Sequence, residues 1–285
     1  MDRWLVRAAR VIGAMLGAFA GLVAIQFMRL RRMEFLPPHP GFYINHVVLP
    51  DGATGRVGRR LRFAVLGDST TAGVGVDRPE DALPYLLAQR LADAEGAAVH
   101  VVSYGWAGAR AADVARIQLP RSLEPLRRTE SQPFLPGADV VAVVIGANDA
   151  THHTAPGAFR ADLRATLEGI RGAAPAARVV LAGIPAFRGA VPGIEPLIFL
   201  ADQYARLLRP ISRNEAARAG VAYADLAAEV PARMRGRERH EVLSRDRFHP
   251  SAIGYTAWAD VIFEAVQRGP SPIEAEPRGI QPAEA

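Results

Sequence analysis

The chain has 285 residues, 49% of them hydrophobic and 22% charged, which is the balance of a globular protein with a sizeable core. It contains no cysteine, which excludes disulfides, thiolate metal sites, a cysteine nucleophile and a lipidated cysteine anchor. All 34 basic side chains are arginine, so a Walker A lysine and Schiff-base chemistry are excluded as well.

The net charge of +5 is unevenly placed, because residues 1–34 alone carry +4 of it. Arg3, Arg7 and Arg10 precede an apolar stretch, Val11 to Met28, and Arg29, Arg31 and Arg32 follow it. The rest of the chain is nearly neutral and has no basic stripe to track a phosphate backbone, so no nucleic-acid partner is expected. The 18 residues from Val11 to Met28 include no ionisable side chain. As a helix they would span about 27 Å, close to the thickness of a bilayer core. The segment reads as a single transmembrane helix that anchors the chain in the cell membrane. Cleavage at Ala18-Phe19-Ala20, giving a secreted protein, is the alternative, but it would leave Gly21 to Met28 as an apolar stub. Arginines flank the segment equally, so the positive-inside count ties, and the free amine tips the orientation toward an exported domain. Gly13, Gly17 and Gly21 share one helix face, a spacing that suits homodimerisation and that an Ala/Gly-rich helix also produces by chance.

Residues 35–60 are rich in proline and glycine and read as a linker. Short Val-rich runs then alternate with helical patterns. Leu61–Leu66, Val99–Val102, Val140–Ile145, Arg178–Ile184 and Val221–Tyr223 read as strands buried on both faces. Helices are expected near 80–95, 109–119, 159–173, 202–219 and 253–267. That alternation predicts an α/β fold, a parallel sheet with helices on both sides, whose ligands bind beyond the carboxyl ends of the strands. Ser69 follows the first strand, Gly108 the second and Asn148 the third, so all three fall on that edge. Residues 120–137 read as a surface excursion. Residues 185–200 read as a loop with an apolar end, Leu197 to Leu200, opening on the same edge. Residues 269–285 read as a disordered tail.

The chemistry-bearing residues form four blocks. Gly67-Asp68-Ser69-Thr70-Thr71-Ala72-Gly73 follows the first strand, and Ser103-Tyr104-Gly105-Trp106-Ala107-Gly108 follows the second. Gly146-Ala147-Asn148-Asp149 follows the third, and Asp246-Arg247-Phe248-His249-Pro250 precedes the last helix. A serine hydroxyl becomes a useful nucleophile when a histidine takes its proton and a carboxylate orients that histidine. Together the blocks resemble the SGNH subset of the GDSL hydrolases, over about 210 residues from Leu61 to the last helix.

The resemblance implies a flavodoxin-like three-layer α/β/α sandwich with a parallel five-stranded sheet, occupying residues 61–268. It implies Ser69 as nucleophile, His249 as proton carrier and Asp246 as its orienting acid. It implies an oxyanion hole made by the Ser69 N–H, the Gly108 N–H and the Asn148 amide, with Gly105 as the other registration of the second block. Many relatives carry asparagine where Ser103 stands. The expected activity is hydrolysis of acyl esters, lipid-like or small, with no cofactor and no metal. Acyl transfer to a sugar or polymer hydroxyl is the alternative, followed by a tethered binding module without catalysis.

Other residues read as structural. Asp68 and Asp149 are expected to bond loop amides, and Thr70 and Thr71 to cap the helix after the nucleophile. His152-His153 reads as a solvated pair, since no further ligand completes a zinc-like set. His240 lies in a solvated charge run. Tyr104 and Trp106 can line the pocket or pack beneath it.

Overall fold

The structure, a computed structural model, describes residues 3–32, 36–53, 58, 60–126, 132–187 and 195–270. It opens with α1 (Arg3–Arg32), then the short strand β1 (Asn45–Val48) and the strand β2 (Arg60–Gly67). The short helix α2 (Ser69–Ala72), α3 (Leu83–Glu95) and β3 (Ala98–Ser103) follow. Next, α4 (Ala111–Asp113), a π turn (Val114–Gln118) and α5 (Leu119–Ser122) run on as one helical segment. Then come β4 (Val140–Val144), α6 (Ala147–Thr151), α7 (Pro156–Ala173) and β5 (Arg178–Ala182). The last elements are α8 (Leu197–Arg218), β6 (Ala222–Ala224), α9 (Leu226–Arg233), α10 (Arg239–Val242) and α11 (Ala252–Arg268).

The strands form one six-stranded sheet in the order β1-β3-β2-β4-β5-β6. All pairings are parallel except β1 with β3. The reason lies in the strands themselves. Along β2, Phe63 and Val65 pack into the core layer shared with α3 and α11, while Ala64 and Leu66 pack into the opposite layer with α7 and α8. A strand that must satisfy two apolar layers is apolar at every position, which is why it reads as an unbroken run. The result is a doubly wound α/β/α sandwich.

The expected strands are present, and a sixth joins them. β1 falls within residues 35–60, which the sequence presented as a linker. With two polar residues in its four, Asn45 and His46, it carries no strand signal of its own. It forms because the outer edge of β3 offers unpaired backbone groups, and because Ile44 and Val48 bury their side chains there. Leu197 to Leu200, expected in a loop, instead begin α8: Ile198 is buried, whereas Phe199 and Leu200 are exposed. Part of the same expected loop, residues 188–194, lies outside the described residues. So do residues 127–131 of the expected excursion, whose flanks are packed rather than peripheral. Leu119, Phe134 and Leu135 are buried, and Arg62 donates to the Pro133 and Phe134 carbonyls at 2.9 Å. The expected tail lies outside the described residues from 271 onward.

α1 is the one helix among the described residues long and apolar enough to cross a membrane. It has the length and composition of a signal sequence or of a signal anchor. Its apolar side chains, from Val11 to Met28, are largely exposed, and a Cβ added at Gly13, Gly17 or Gly21 would meet nothing within 4 Å. Gln26 and Leu30, near its end, pack against the rest of the protein, where α1 contacts α8.

The edge strand generates a prediction. Burying an aliphatic side chain is worth about 1.5–3 kcal/mol, and ~1 kcal/mol moves Tm by about 2–4 °C in a domain of this size. Removing residues 1–34 is expected to leave the unfolding midpoint nearly unchanged. Removing residues 1–50, and with them Ile44 and Val48, is expected to lower it by roughly 10 °C. Thermal unfolding followed by circular dichroism checks both.

Candidate active site

β2 ends at Gly67, where a Cβ would lie 2.2 Å from the Val144 carbonyl oxygen, so no larger residue fits. Asp68 then caps α2: its Oδ1 accepts the Thr70 N–H at 3.0 Å and the Thr70 hydroxyl at 2.8 Å. The cap is therefore Asp68 rather than Thr70 or Thr71, because an N-cap side chain must reach the N–H groups that follow it. Thr71 instead donates its hydroxyl to the Asp68 carbonyl at 2.8 Å. Ser69 is the first residue of the helix, so its N–H belongs to those a helix leaves without an intrahelical acceptor.

Ser69 Oγ lies 3.0 Å from His249 Nε2, and His249 Nδ1 lies 2.6 Å from Asp246 Oδ2. The three residues come from opposite ends of the chain. They meet because Ser244 to His249 form a tight loop closed by the Ser244 N–H donating to the His249 carbonyl at 2.8 Å. Arg247 takes a left-handed φ of 58° within it. Tyr255 of α11 donates its hydroxyl to the Val74 carbonyl, tying that helix to the segment after α2. Gly75 permits the close approach, since a Cβ there would stand 2.3 Å from the Pro250 carbonyl.

Asp246 is buried and accepts four hydrogen bonds, from His249 Nδ1, the Ser244 hydroxyl and the Phe248 and His249 N–H groups. Burial works to raise its pKa. The His249 side chain and the two backbone N–H groups outweigh that and hold the carboxyl well below its usual range. The ring of Phe248 meets the His249 imidazole edge-on, with centroids 5.2 Å apart.

Asn148 stands on α6, and its Nδ2 donates to the Ala109 carbonyl at 2.9 Å. A carboxamide nitrogen carries two hydrogens, so one donor remains. Gly108, next to Ala109, has φ +83° and open space where a Cβ would be, so its conformation rather than crowding favours glycine. Gly105 differs: a Cβ there would strike the Thr71 hydroxyl, and its N–H is engaged by Ser103 Oγ at 3.3 Å. Ser103 Oγ in turn donates to the Thr71 carbonyl at 2.7 Å, joining the first and second blocks. Asp149 is fully buried and accepts the Ala111 N–H at 2.9 Å, joining the start of α4 to the third block. Burial raises the pKa of both Asp149 and Asp68.

Ser69, His249 and Asn148 open onto a pocket of about 150 Å³. Its walls are mostly apolar, with Phe187, Leu226, Val230, Met234, Phe248 and Trp258 prominent. The α9 contribution went unread in the sequence, although Leu226, Val230 and Met234 recur every four residues and so share one helix face. Tyr104 and Trp106 pack against the core, away from this pocket. His152 and His153 are exposed; His152 Nδ1 lies 2.9 Å from the Asn148 carbonyl, and His153 stacks edge-on against Tyr204. Among the described residues no three metal-ligating side chains converge.

A serine, a histidine and a buried carboxylate stand in hydrogen-bonded series at the carboxyl edge of a doubly wound sheet, the geometry that can activate a serine hydroxyl. The sequence profile of the GDSL-like lipase/acylhydrolase family matches residues 65–257. The chain belongs to this family and is a carboxylic ester hydrolase. Solved structures repeat the fold. A lipase from a goat rumen metagenome is 22% identical, with TM-score 0.57, and the match covers 72% of this chain and 97% of that one. A lipase/acylhydrolase from Enterococcus faecalis is 23% identical, with TM-score 0.55, covering 75% and 100%. Phospholipase A1 from Streptomyces albidoflavus NA297 is 23% identical, with TM-score 0.52, covering 72% and 98%. No curated protein matches the chain.

The Asp246 shift has a measurable consequence. Its folded pKa lies below the unfolded value of about 3.9. Its stabilisation is therefore complete above about pH 4 and is lost as pH falls through the lower folded value. Asp246→Asn lacks this group, so the stability gap between the two proteins is expected to be full above about pH 4 and to narrow steadily as pH falls toward about 2. Urea unfolding across that range measures it.

Proposed function

We propose that Ser69, His249 and Asp246 act as a catalytic triad that hydrolyses acyl esters whose acyl group enters the apolar pocket. The carrying observation is the unbroken series from Ser69 Oγ to His249 Nε2 at 3.0 Å and from His249 Nδ1 to Asp246 Oδ2 at 2.6 Å. His249 takes the Ser69 proton as Oγ attacks the acyl carbonyl carbon. The charge that develops on the carbonyl oxygen is met by the Ser69 and Gly108 N–H groups and the free hydrogen of Asn148 Nδ2. Collapse of the tetrahedral intermediate breaks the ester bond, and His249 returns the proton to the departing alcohol. Water then attacks the acyl-enzyme by the same route, releasing the acid and restoring Ser69. Ionised Asp246 holds the imidazole in the tautomer that accepts at Nε2 and stabilises the imidazolium that forms.

The pocket supports a particular acyl length. Its volume of about 150 Å³ matches that of an apolar protein cavity that takes up one benzene molecule, about six carbon atoms. A medium-length acyl chain fills it, whereas a palmitoyl chain would have to leave through the mouth. The neighbours named as a lipase and a phospholipase A1 support an acyl ester substrate. We further propose that α1 is retained as a membrane anchor with the catalytic domain exported. Cleavage after Ala20 would leave an apolar stub that the fold does not bury.

Hydrolysis of p-nitrophenyl esters from acetyl to palmitoyl by the full-length protein in detergent tests the assignment. Turnover is expected to peak near butanoyl to octanoyl and to need no added metal. Ser69→Ala and His249→Ala are each expected to lose at least ~10⁴ in kcat, and Asn148→Ala about 10²–10³. Met234→Ala should move the optimum toward longer chains. Substantial turnover by folded Ser69→Ala would sink the triad. The anchor is tested separately by alkaline carbonate extraction of membranes: a retained helix keeps the protein in the pellet, and release with a new N-terminus at Gly21 overturns it.

A further inference from the structure

β2 runs further toward the active site than its neighbour β3 can follow. Successive residues of a strand alternate in direction, so Val65 and Gly67 turn their backbone groups toward the same side. Val65 is served by β3: its carbonyl accepts the Tyr104 N–H at 2.8 Å. Gly67 would need the next peptide of β3, but that strand ends at Ser103 and the chain then leaves the sheet.

A side chain fills the place. Gln118 Oε1 accepts the Gly67 N–H at 2.8 Å, and Gln118 Nε2 donates to the Gly67 carbonyl at 2.7 Å. A carboxamide carries one acceptor and a donor beside it, so a single glutamine supplies what a neighbouring strand would. Gln118 is completely buried. It closes the π turn Val114–Gln118, a rare local winding that is frequent at functional sites. The peptide joining Gly67 to Asp68 is thereby gripped on both sides, its carbonyl by Gln118 and its N–H by the Val144 carbonyl at 3.2 Å. The next residue is Ser69.

We propose that Gln118 is a positioning residue for Ser69. By standing in for the missing β3 peptide it sets the plane of the Gly67–Asp68 peptide. That plane aims Ser69 Oγ at His249 and the Ser69 N–H at the developing oxyanion. The proposal rests on Ser69 being the nucleophile. Gln118 does not line the pocket, so substrate binding is left alone and the effect falls on the chemical step.

The test compares the full-length protein with Gln118→Met and Gln118→Glu in detergent, at a temperature where circular dichroism shows each folded. Two rates are read: turnover of p-nitrophenyl butyrate, and covalent labelling by a fluorophosphonate. In the labelling reaction Ser69 Oγ bonds to phosphorus, the P–F bond breaks, fluoride departs and His249 takes the proton. Gln118→Met is expected to lower kcat and the labelling rate by about 10- to 100-fold, with KM within about twofold. Gln118→Glu adds a pH signature. A protonated carboxyl can make both bonds to Gly67, whereas an ionised one faces the Gly67 carbonyl with like charge, and burial favours the protonated form. The ratio of Gln118→Glu to parent kcat is therefore expected to approach one near pH 5 and to fall as pH rises. The parent has no titrating group at this position, so the ratio isolates the substituted carboxyl from pH effects common to both proteins. Parental rates in folded Gln118→Met, or a ratio that does not vary with pH, would assign Gln118 to folding alone. If Gln118→Met does not fold, the Gln118→Glu ratio decides. A parent protein with neither turnover nor labelling, or one labelled equally after Ser69→Ala, would instead overturn the Ser69 assignment and this inference with it.

Discussion

The approach of Gly67 to the Val144 carbonyl governs the whole sheet edge that carries Ser69. A single methyl group at residue 67 would sit 2.2 Å from that oxygen, so the strand can end there only as glycine. The contact exists because β2 lies between β3 and β4 and is buried on both faces, which leaves its backbone no freedom to withdraw. Asp68 donates its N–H to the same Val144 oxygen at 3.2 Å and then caps α2, so the chain turns outward within two residues. Ser69 is delivered to the sheet edge by that turn. The blocks after β3 and β4 reach the same edge because those strands run parallel to β2.

Three buried aspartates sit at this edge, and their different partners move their pKa values in different directions. Burial acts to raise the pKa of each. Asp68 has the Thr70 N–H and hydroxyl to oppose that, and Asp149 has chiefly the Ala111 N–H; both remain raised. Asp246 alone gathers enough donors, the His249 ring among them, to be held strongly ionised. A carboxylate that is to orient an imidazole and support its positive charge must be anionic, and Asp246 is the one held below its usual range. The two raised carboxyls instead tie loops together: Asp149 links the start of α4 to α6, and Asp68 builds the cap before the serine.

Elements outside the sheet supply most of the pocket wall. α9 and its C-terminal Met234 present Leu226, Val230 and Met234 to the cavity, and the segment after β5 adds Phe187. That segment is pinned from behind. Buried Asp202 accepts the Phe187 N–H at 3.0 Å, and Arg209 donates to the Pro185 carbonyl at 2.7 Å while also bonding Asp202. A wall held by charge-assisted bonds keeps its shape, so the size of the apolar side chains sets the volume of the pocket.

The sequence by itself determined the sheet and the four blocks on its edge. Strands buried on both faces must be apolar throughout, and Gly67-Asp68-Ser69 and Asp246-Arg247-Phe248-His249 carry chemistry that few other residue types supply. Those signals are local, and they survive without a partner. What only the tertiary structure decided depended on partners distant in the chain. β1 exists because β3 had an open edge. Leu197 to Leu200 became helix because α8 packs its inward face against α7 and the sheet. Asp68 rather than a threonine became the cap through the backbone angle after Gly67. Gln118 reads as one polar residue in a helical run until the fold carries it 51 positions back along the chain to Gly67, where β3 has ended and a buried N–H and carbonyl need partners.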